Sequence, residues 1–182
     1  MGTREDLLAA AKQCLAERGY ARTTVRDIVA ASNSNLAAIN YHFGTRDKLL
    51  NQAMLESSTA AIQRILDSLP DNSAGAPAAR LQSFLEQLIA SFTNDPALWT
   101  ANAEALGQAL HSPALRAELG AAQGDARTGL GQEFAPGQPD SKVGALLQTL
   151  IGGLLIQWLV DPENAPTASD ITAGLKALNA LT

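Results

Sequence analysis

Cysteine is almost missing from this sequence: Cys14 is the only one in 182 residues, so no disulfide can close within the chain. A lone thiol fits a reducing compartment. Cys14 also falls in an apolar helical stripe, where a buried structural thiol is the first reading and a redox sensor the second. Histidine is as scarce, with only His42 and His111. Two imidazoles and one thiol are too few for a metal cluster, so neither a metal nor a cofactor is expected. Gly-x-Ser-x-Gly, His-Glu-x-x-His and the glycine-rich phosphate loop before Lys-Ser/Thr do not occur. Gly152-Gly153 sits inside an apolar run with no strand before it, and Glu86, Glu104 and Glu118 read as solvated faces. An enzyme is not expected. Aromatics make up only 4% of the chain and runs of β-branched residues are rare, while Ala and Leu dominate. That balance favours helices throughout, with nothing arguing for strands.

What is present is apolar material and an uneven charge. An apolar content of 46% is ample for a core, and the length allows one large domain or a small and a medium one. The net charge of −5 is unpromising for a nucleic-acid binder. Its distribution is not. Through residue 50 there are seven cations (Arg4, Lys12, Arg18, Arg22, Arg26, Arg46, Lys48) and five acids (Glu5, Asp6, Glu17, Asp27, Asp47), a net +2 that leaves −7 for the rest. A mildly basic head on an acidic body confines phosphate contact to the head.

Within that head, the stretch from Thr23 to Lys48 organises the rest. Thr24 can cap a short helix, with Asp27 three residues on as reciprocal partner. Val25, Ile28 and Val29 give the helix an apolar side. It runs out at Ser32-Asn33-Ser34, where Asn33 suits a left-handed corner. Asn35 then caps a second short helix, Leu36 to Phe43, with Leu36, Ile39 and Phe43 as its core stripe. Gly44 stops it and Thr45 caps a third, longer helix. Two short helices joined by a tight turn make a helix-turn-helix, whose second helix is shaped for a DNA major groove.

These residues resemble the amino-terminal domain of the TetR family of bacterial transcriptional regulators. The likeness is carried by Gly19-Tyr20, by Thr23-Thr24-Val25-Arg26-Asp27-Ile28 and by Asn40-Tyr41-His42-Phe43-Gly44-Thr45-Arg46, and it covers roughly the first fifty residues. Two positions depart from the family's pattern. Asn33-Ser34 stands where Gly-Val is usual, which loses one apolar turn contact. Leu36-Ala37-Ala38 replaces the usual small-residue start of the recognition helix, which changes the bases that can be read.

Beyond the head, Thr3 and Asp6 form a capping box for a first helix with Leu7, Leu8, Ala11, Cys14 and Leu15 on one stripe. The charged start and spaced apolar residues of that helix do not resemble a signal peptide. A long helix is expected from Thr45 through Leu69, a loop at Asp71–Pro77, and a helix from about Ala78 to Thr93. Asp95-Pro96 restarts the chain into a helix through Leu110. Ser112-Pro113 is a strong start signal for the next, to about Phe134, whose Gly120, Gly124, Gly129 and Gly131 would leave it bent, broken or closely packed. After a break at Pro136–Pro139 comes the most apolar run, Ser141 to Val160, then a last helix near Ala168 to Leu181. By length the apolar run can span a membrane, but Gln148 and Gln157 interrupt it and its flanks lack basic anchors. It reads better as a core helix that also packs, with the last helix, against a second copy. The family likeness implies that arrangement, a four-helix bundle across a two-fold axis.

The expected fold is therefore all-α, with about nine helices. A three-helix helix-turn-helix domain at residues 1–50 precedes a helical effector-binding and dimerisation domain at residues 51–182. Candidate DNA contacts are Thr24, Arg26, Asn35, Ala37, Ala38, Asn40, Tyr41, His42, Thr45, Arg46 and Lys48. Asn40 can pair with adenine and the alanine methyls can meet thymine methyls. The resemblance implies phosphate contact for Tyr41, His42 and Arg46; His42 reads equally well as a packed residue between helices, and Lys48 first as a solvated neighbour. Phe84, Leu88, Phe92, Trp99, Leu106 and Leu147, with Asn102, His111 and Gln148 as polar orienters, supply the material for an effector pocket, or equally for an ordinary core. Leu147, Ile151, Gly152, Leu155, Trp158, Leu175 and Leu178 are the expected dimer contacts. The implied function is a cytoplasmic homodimeric repressor, released from a palindromic double-stranded operator by an apolar or amphipathic effector, with no membrane partner. The other reading is a helical interaction or ligand-sequestering module that has lost DNA binding.

Overall fold

Side-chain caps set the helix starts. In the computed structural model, described over residues 3–70, 77–138 and 142–180, Thr3 and Asp6 close a reciprocal box at the head of α1 (Arg4–Arg18). Thr24 and Asp27 do the same for α2 (Val25–Ser32), and Asn35 accepts the Ala38 N–H at 2.9 Å to start α3 (Leu36–Phe43). Thr45 accepts the Lys48 N–H at 3.2 Å, opening α4 (Arg46–Ser68). Proline begins each of the next three helices: α5 (Pro77–Asn94), α6 (Pro96–Ala109, capped by Asp95) and α7 (Pro113–Phe134, capped by Ser112). Missing N–H groups cost nothing in a first turn, which is why proline is tolerated there. Then come α8 (Val143–Val160) and α9 (Ala168–Asn179), the latter boxed by Thr167 and Asp170, a cap the sequence reading passed over. Among the described residues there is no strand. Residues 71–76 of the expected loop, and residue 139 of the expected break, lie outside the described residues.

The helices divide into two compact units, Met1–Ala60 with Asp95–Gly120, and Ala61–Asn94 with Ala121–Thr182. In the first, Leu7, Ile28, Ile39, Leu49, Leu50 and Ala53 are fully enclosed, and Ala101, Ala105, Leu115 and Leu119 complete the same core. Cys14 is buried there, and burial pushes its thiol pKa up, so it is packing material. Polar links tie this unit together. The buried Tyr20 hydroxyl donates to Asn51, and the Glu104 carboxylate accepts the Ala21 N–H at 3.1 Å. Burial raises the Tyr20 phenol to about 12, so it stays a donor at any working pH.

In the second unit, Phe84, Leu85 and Leu88 from α5 and Leu154 from α8 form the enclosed core, and Phe84 meets Phe134 edge-on at 5.2 Å. α7 is unbroken despite its glycines. Close packing falls instead to a glycine of α8: a Cβ on Gly144 would lie 1.9 Å from the Arg127 carbonyl oxygen and 2.8 Å from the Gly131 nitrogen, whereas one on Gly120 or Gly129 would meet nothing within 4 Å. Only glycine lets those two backbones meet.

Candidate nucleic-acid interface

The turn between α2 and α3 runs through Asn33, Ser34 and Asn35. Asn33 sits at φ 49°, ψ 43°, the left-handed conformation that asparagine adopts at modest cost, and it ends α2 by donating its N–H to the Val29 carbonyl. Ser34 follows with its hydroxyl buried and without a partner, a direct consequence of serine standing where an apolar residue is usual. Gly44 at φ 79° closes α3.

These bends leave α3 with one buried edge, Ile39 and Phe43, and one open edge. Asn40 and Ala37 are exposed, and Tyr41 is 84% exposed, which is unusual for so large an apolar ring. Asn35 spends its carbonyl oxygen on the cap, which leaves its amide NH₂ as a donor. The stripe differs from expectation at two places. Leu36 is 52% exposed, while Ala38 packs partly against the core. Side chains lean toward the helix N-terminus, so Leu36, as first residue, projects past its neighbours although its angular position is on the core side. Leu36 thus joins the open edge as an apolar contact that the spacing alone had assigned to the core.

The remaining candidates flank this edge. Thr24 is exposed, with its hydroxyl engaged by Asp27, and Arg26 stands exposed near the start of α2. His42 is half-buried, edge-on to Tyr41 at 4.9 Å. Thr45 and Lys48 are exposed. Arg46 has another task. Its Nε donates to the Thr23 carbonyl at 2.6 Å, one terminal nitrogen to the Tyr20 carbonyl at 2.8 Å, and the other to Asp47 at 2.5 Å. Its guanidinium also lies 5.7 Å over the Tyr20 ring. It braces the α1–α2 turn against the start of α4.

Three of the head's seven cations are therefore paired, Lys12 with Glu56, Arg18 with Asp27 and Arg46 with Asp47. Arg4, Arg22, Arg26 and Lys48 make no ion pair among the described residues. Asp27 is held below the usual carboxylate range first by the Thr24 hydroxyl, then by the Thr24 N–H, with Arg18 adding to it.

The other sequence candidates fall in both units. Trp99, Asn102, Leu106 and His111 belong to the first unit, and Phe84, Leu88, Phe92, Leu147 and Gln148 to the second. Phe84, Leu88, Phe92, Trp99 and Leu147 are buried, Asn102 donates to the Met54 sulfur at 3.4 Å, and Gln148 accepts from Arg127 at 3.1 Å. His111 is exposed in the turn after α6. Of the expected dimer contacts, Leu147 and Leu155 are buried inside their own unit, Ile151, Trp158 and Leu175 are half-buried, and Gly152 and Leu178 are exposed. Trp158 donates its indole N–H to the Pro166 carbonyl at 3.1 Å. The exposed residues of α8 are Ala145, Leu146, Thr149, Gly152, Gly153, Ile156, Gln157 and Val160.

An all-α chain with this capped pair of helices and its exposed second edge is a helix-turn-helix protein. Residues 7–53 match the bacterial regulatory proteins of the tetR family, and residues 77–181 match the C-terminal region of BetI-type transcriptional repressors. The chain belongs to the TetR family. The HTH-type transcriptional repressor Rv3405c of Mycobacterium tuberculosis is 42% identical over 62 residues, a match spanning 34% of this chain and 32% of that relative's own length. A transcriptional regulator from Rhodococcus sp. Rha1 superposes with a TM-score of 0.69 at 25% identity, over 95% of both chains. The multidrug binding protein EbrR, solved with imidazole, shares the fold with a TM-score of 0.74 at 22% identity, over 96% of this chain and 88% of its own.

Proposed function

We propose that this protein is a cytoplasmic, homodimeric, DNA-binding transcriptional repressor, released from its operator by a small molecule. Residues 1–50 carry the DNA contact and residues 51–182 the effector and dimer functions. The observation that carries the reading is the open edge of α3, where Leu36, Ala37, Asn40 and Tyr41 stand exposed beside the unpaired Arg26 and Lys48. A helix with that edge fits the major groove. Asn40 pairs with an adenine edge, the Leu36 and Ala37 side chains meet thymine methyls, and Arg26, Tyr41, Thr45 and Lys48 contact phosphates. Arg46 positions the turn and touches DNA little, because its donors are engaged within the chain. Family membership supports a regulator over a catalyst.

The dimer rests on α8. Only four of its 18 residues, Gly144, Leu147, Leu154 and Leu155, are buried within the chain, although the helix is long and apolar enough to cross a membrane. Thr149, Gly152, Gly153 and Gln157 on its open side suit a second helix better than lipid. Gly152 and Gly153 face open space and leave room for a second backbone. A two-fold pair then sets two recognition helices against half-sites about 34–36 Å apart. An apolar or amphipathic effector bound behind the heads releases DNA by preferring a different head spacing. EbrR, with the same fold, is a small-molecule binder.

Selection of duplexes from a random-sequence library tests the reading. Arg26→Ala weakens binding to every sequence alike, whereas Asn40→Ala changes which bases are preferred. Parent-like binding by both variants would remove α3 as the reading element. A parent that retains no duplex would leave the ligand-sequestering module.

A further inference from the structure

A cation from a different element lies beside the end of α3. Arg4, the first residue of α1, holds its guanidinium carbon 5.1 Å from the centroid of the Phe43 ring. Phe43 follows His42 at 6.4 Å between ring centroids, and His42 follows Tyr41 at 4.9 Å. Arg4 thus lies beside the last residue of α3, whose own ring is buried. Arg4 is itself exposed.

Four acids of this unit are engaged by other groups. Asp6 is closed on Thr3. Glu56 is paired with Lys12, Asp27 with Arg18 and Asp47 with Arg46. Arg4 makes no ion pair among the described residues, and neither does its exposed neighbour Glu5. Against burial, the Lys12 and Gln52 hydrogen bonds hold the Glu56 carboxyl down and Arg4 adds to this from beyond ion-pair distance, so the Arg4 guanidinium is still open to a further anion.

We propose that Arg4 is a DNA-phosphate contact, extending the interface beyond the helix-turn-helix; this rests on the DNA-binding reading above. A guanidinium held over a ring keeps N–H edges available for an anion. Two of those edges match two oxygens of one phosphate. Stacking on Phe43 also narrows the side chain's rotamers before DNA arrives, so less freedom is lost on contact. Because Phe43 ends the recognition helix, Arg4 fixes the register of that helix in the groove without reading a base.

The test compares the full-length parent with Arg4→Gln and Arg4→Lys across a series of potassium chloride concentrations. The probes are duplexes that the parent selects from a random-sequence library, and one unselected random-sequence duplex. Arg4→Gln is expected to flatten the slope of log K against log salt by about 0.9 per subunit, equally on both probes. Arg4→Lys keeps the charge and restores the slope. A parent-like slope in Arg4→Gln overturns the proposal, also where its melting temperature falls, since Arg4 would then only pack on Phe43. If Asn40→Ala shifts base preference while Arg4→Gln keeps the slope, DNA binding stands and the Arg4 contact falls. No salt-sensitive binding of any duplex by the parent removes both.

Discussion

Single residues in the head show how a family pattern tolerates local change. Asn33 stands where the family usually has glycine, and it takes the left-handed turn conformation. Ser34 is less neutral, because its hydroxyl oxygen is buried without a hydrogen bond. Burying such a group costs on the order of 1–3 kcal/mol. Ser34→Ala removes the hydroxyl and leaves the Ser34 N–H to Val29 bond intact. The variant is expected to gain about 1 kcal/mol in urea unfolding, with DNA preference unchanged; an equal or lower midpoint would show that the hydroxyl finds a partner in solution. Arg46 teaches the opposite lesson. Position alone makes it look like a phosphate contact, yet its geometry makes it a strut between Tyr20, Thr23 and Asp47.

At the scale of elements, short helices of eight residues depend on their ends. A two-turn helix has few internal hydrogen bonds, so caps and tertiary packing hold it. At α2 the reciprocal Thr24–Asp27 box does this with a carboxylate, Asn35 caps α3, and Thr3–Asp6 and Thr167–Asp170 box the longer α1 and α9. All three carboxyls are held below their usual range by their threonines. A carboxyl depressed in the folded state stabilises it at pH values above the ordinary carboxylate range, about pH 4, and that contribution is lost as pH falls through the depressed value. Acidification is therefore expected to fray the starts of α1, α2 and α9. Amide shifts of Thr24 to Ile28 followed below about pH 4 should move together in the parent. In Asp27→Asn the same amides should stay flat, and a transition that persists there would point to another carboxyl.

For the whole molecule, the informative feature is the apolar surface that one chain leaves uncovered. On α8, Leu146 and Ile156 are each 48% exposed and Val160 is 78% exposed, and Leu178 on α9 is 61% exposed. Exposed large apolar groups in a helical row mark a contact surface. Ile156→Glu places a charge on that row without entering the core. The expected outcome is a dimer dissociation constant raised at least about tenfold, equivalent to roughly 1.4 kcal/mol, in sedimentation velocity, with unchanged helicity by circular dichroism. Operator affinity should fall with it, because one head alone holds half the contacts. A variant that stays dimeric would move the interface off this face.

Much of this protein was legible in its residues. The capping boxes at Thr3 and Thr24, the turn at Asn33, the stops at Gly44 and the proline starts at Pro96 and Pro113 are local chemistry, set by neighbours within four positions. The TetR likeness of the head is legible for the same reason. Facing is a different matter, since it depends on which helices lie opposite. Axial position exposed Leu36 and drew in Ala38, although the angular period assigned them the other way. Partners distant in sequence turned Arg46 inward and set Arg4 beside Phe43. Along α8 nearly every residue is apolar, so no period distinguishes its sides; the packing of Gly144, Leu147, Leu154 and Leu155 within the chain decided which side remained open.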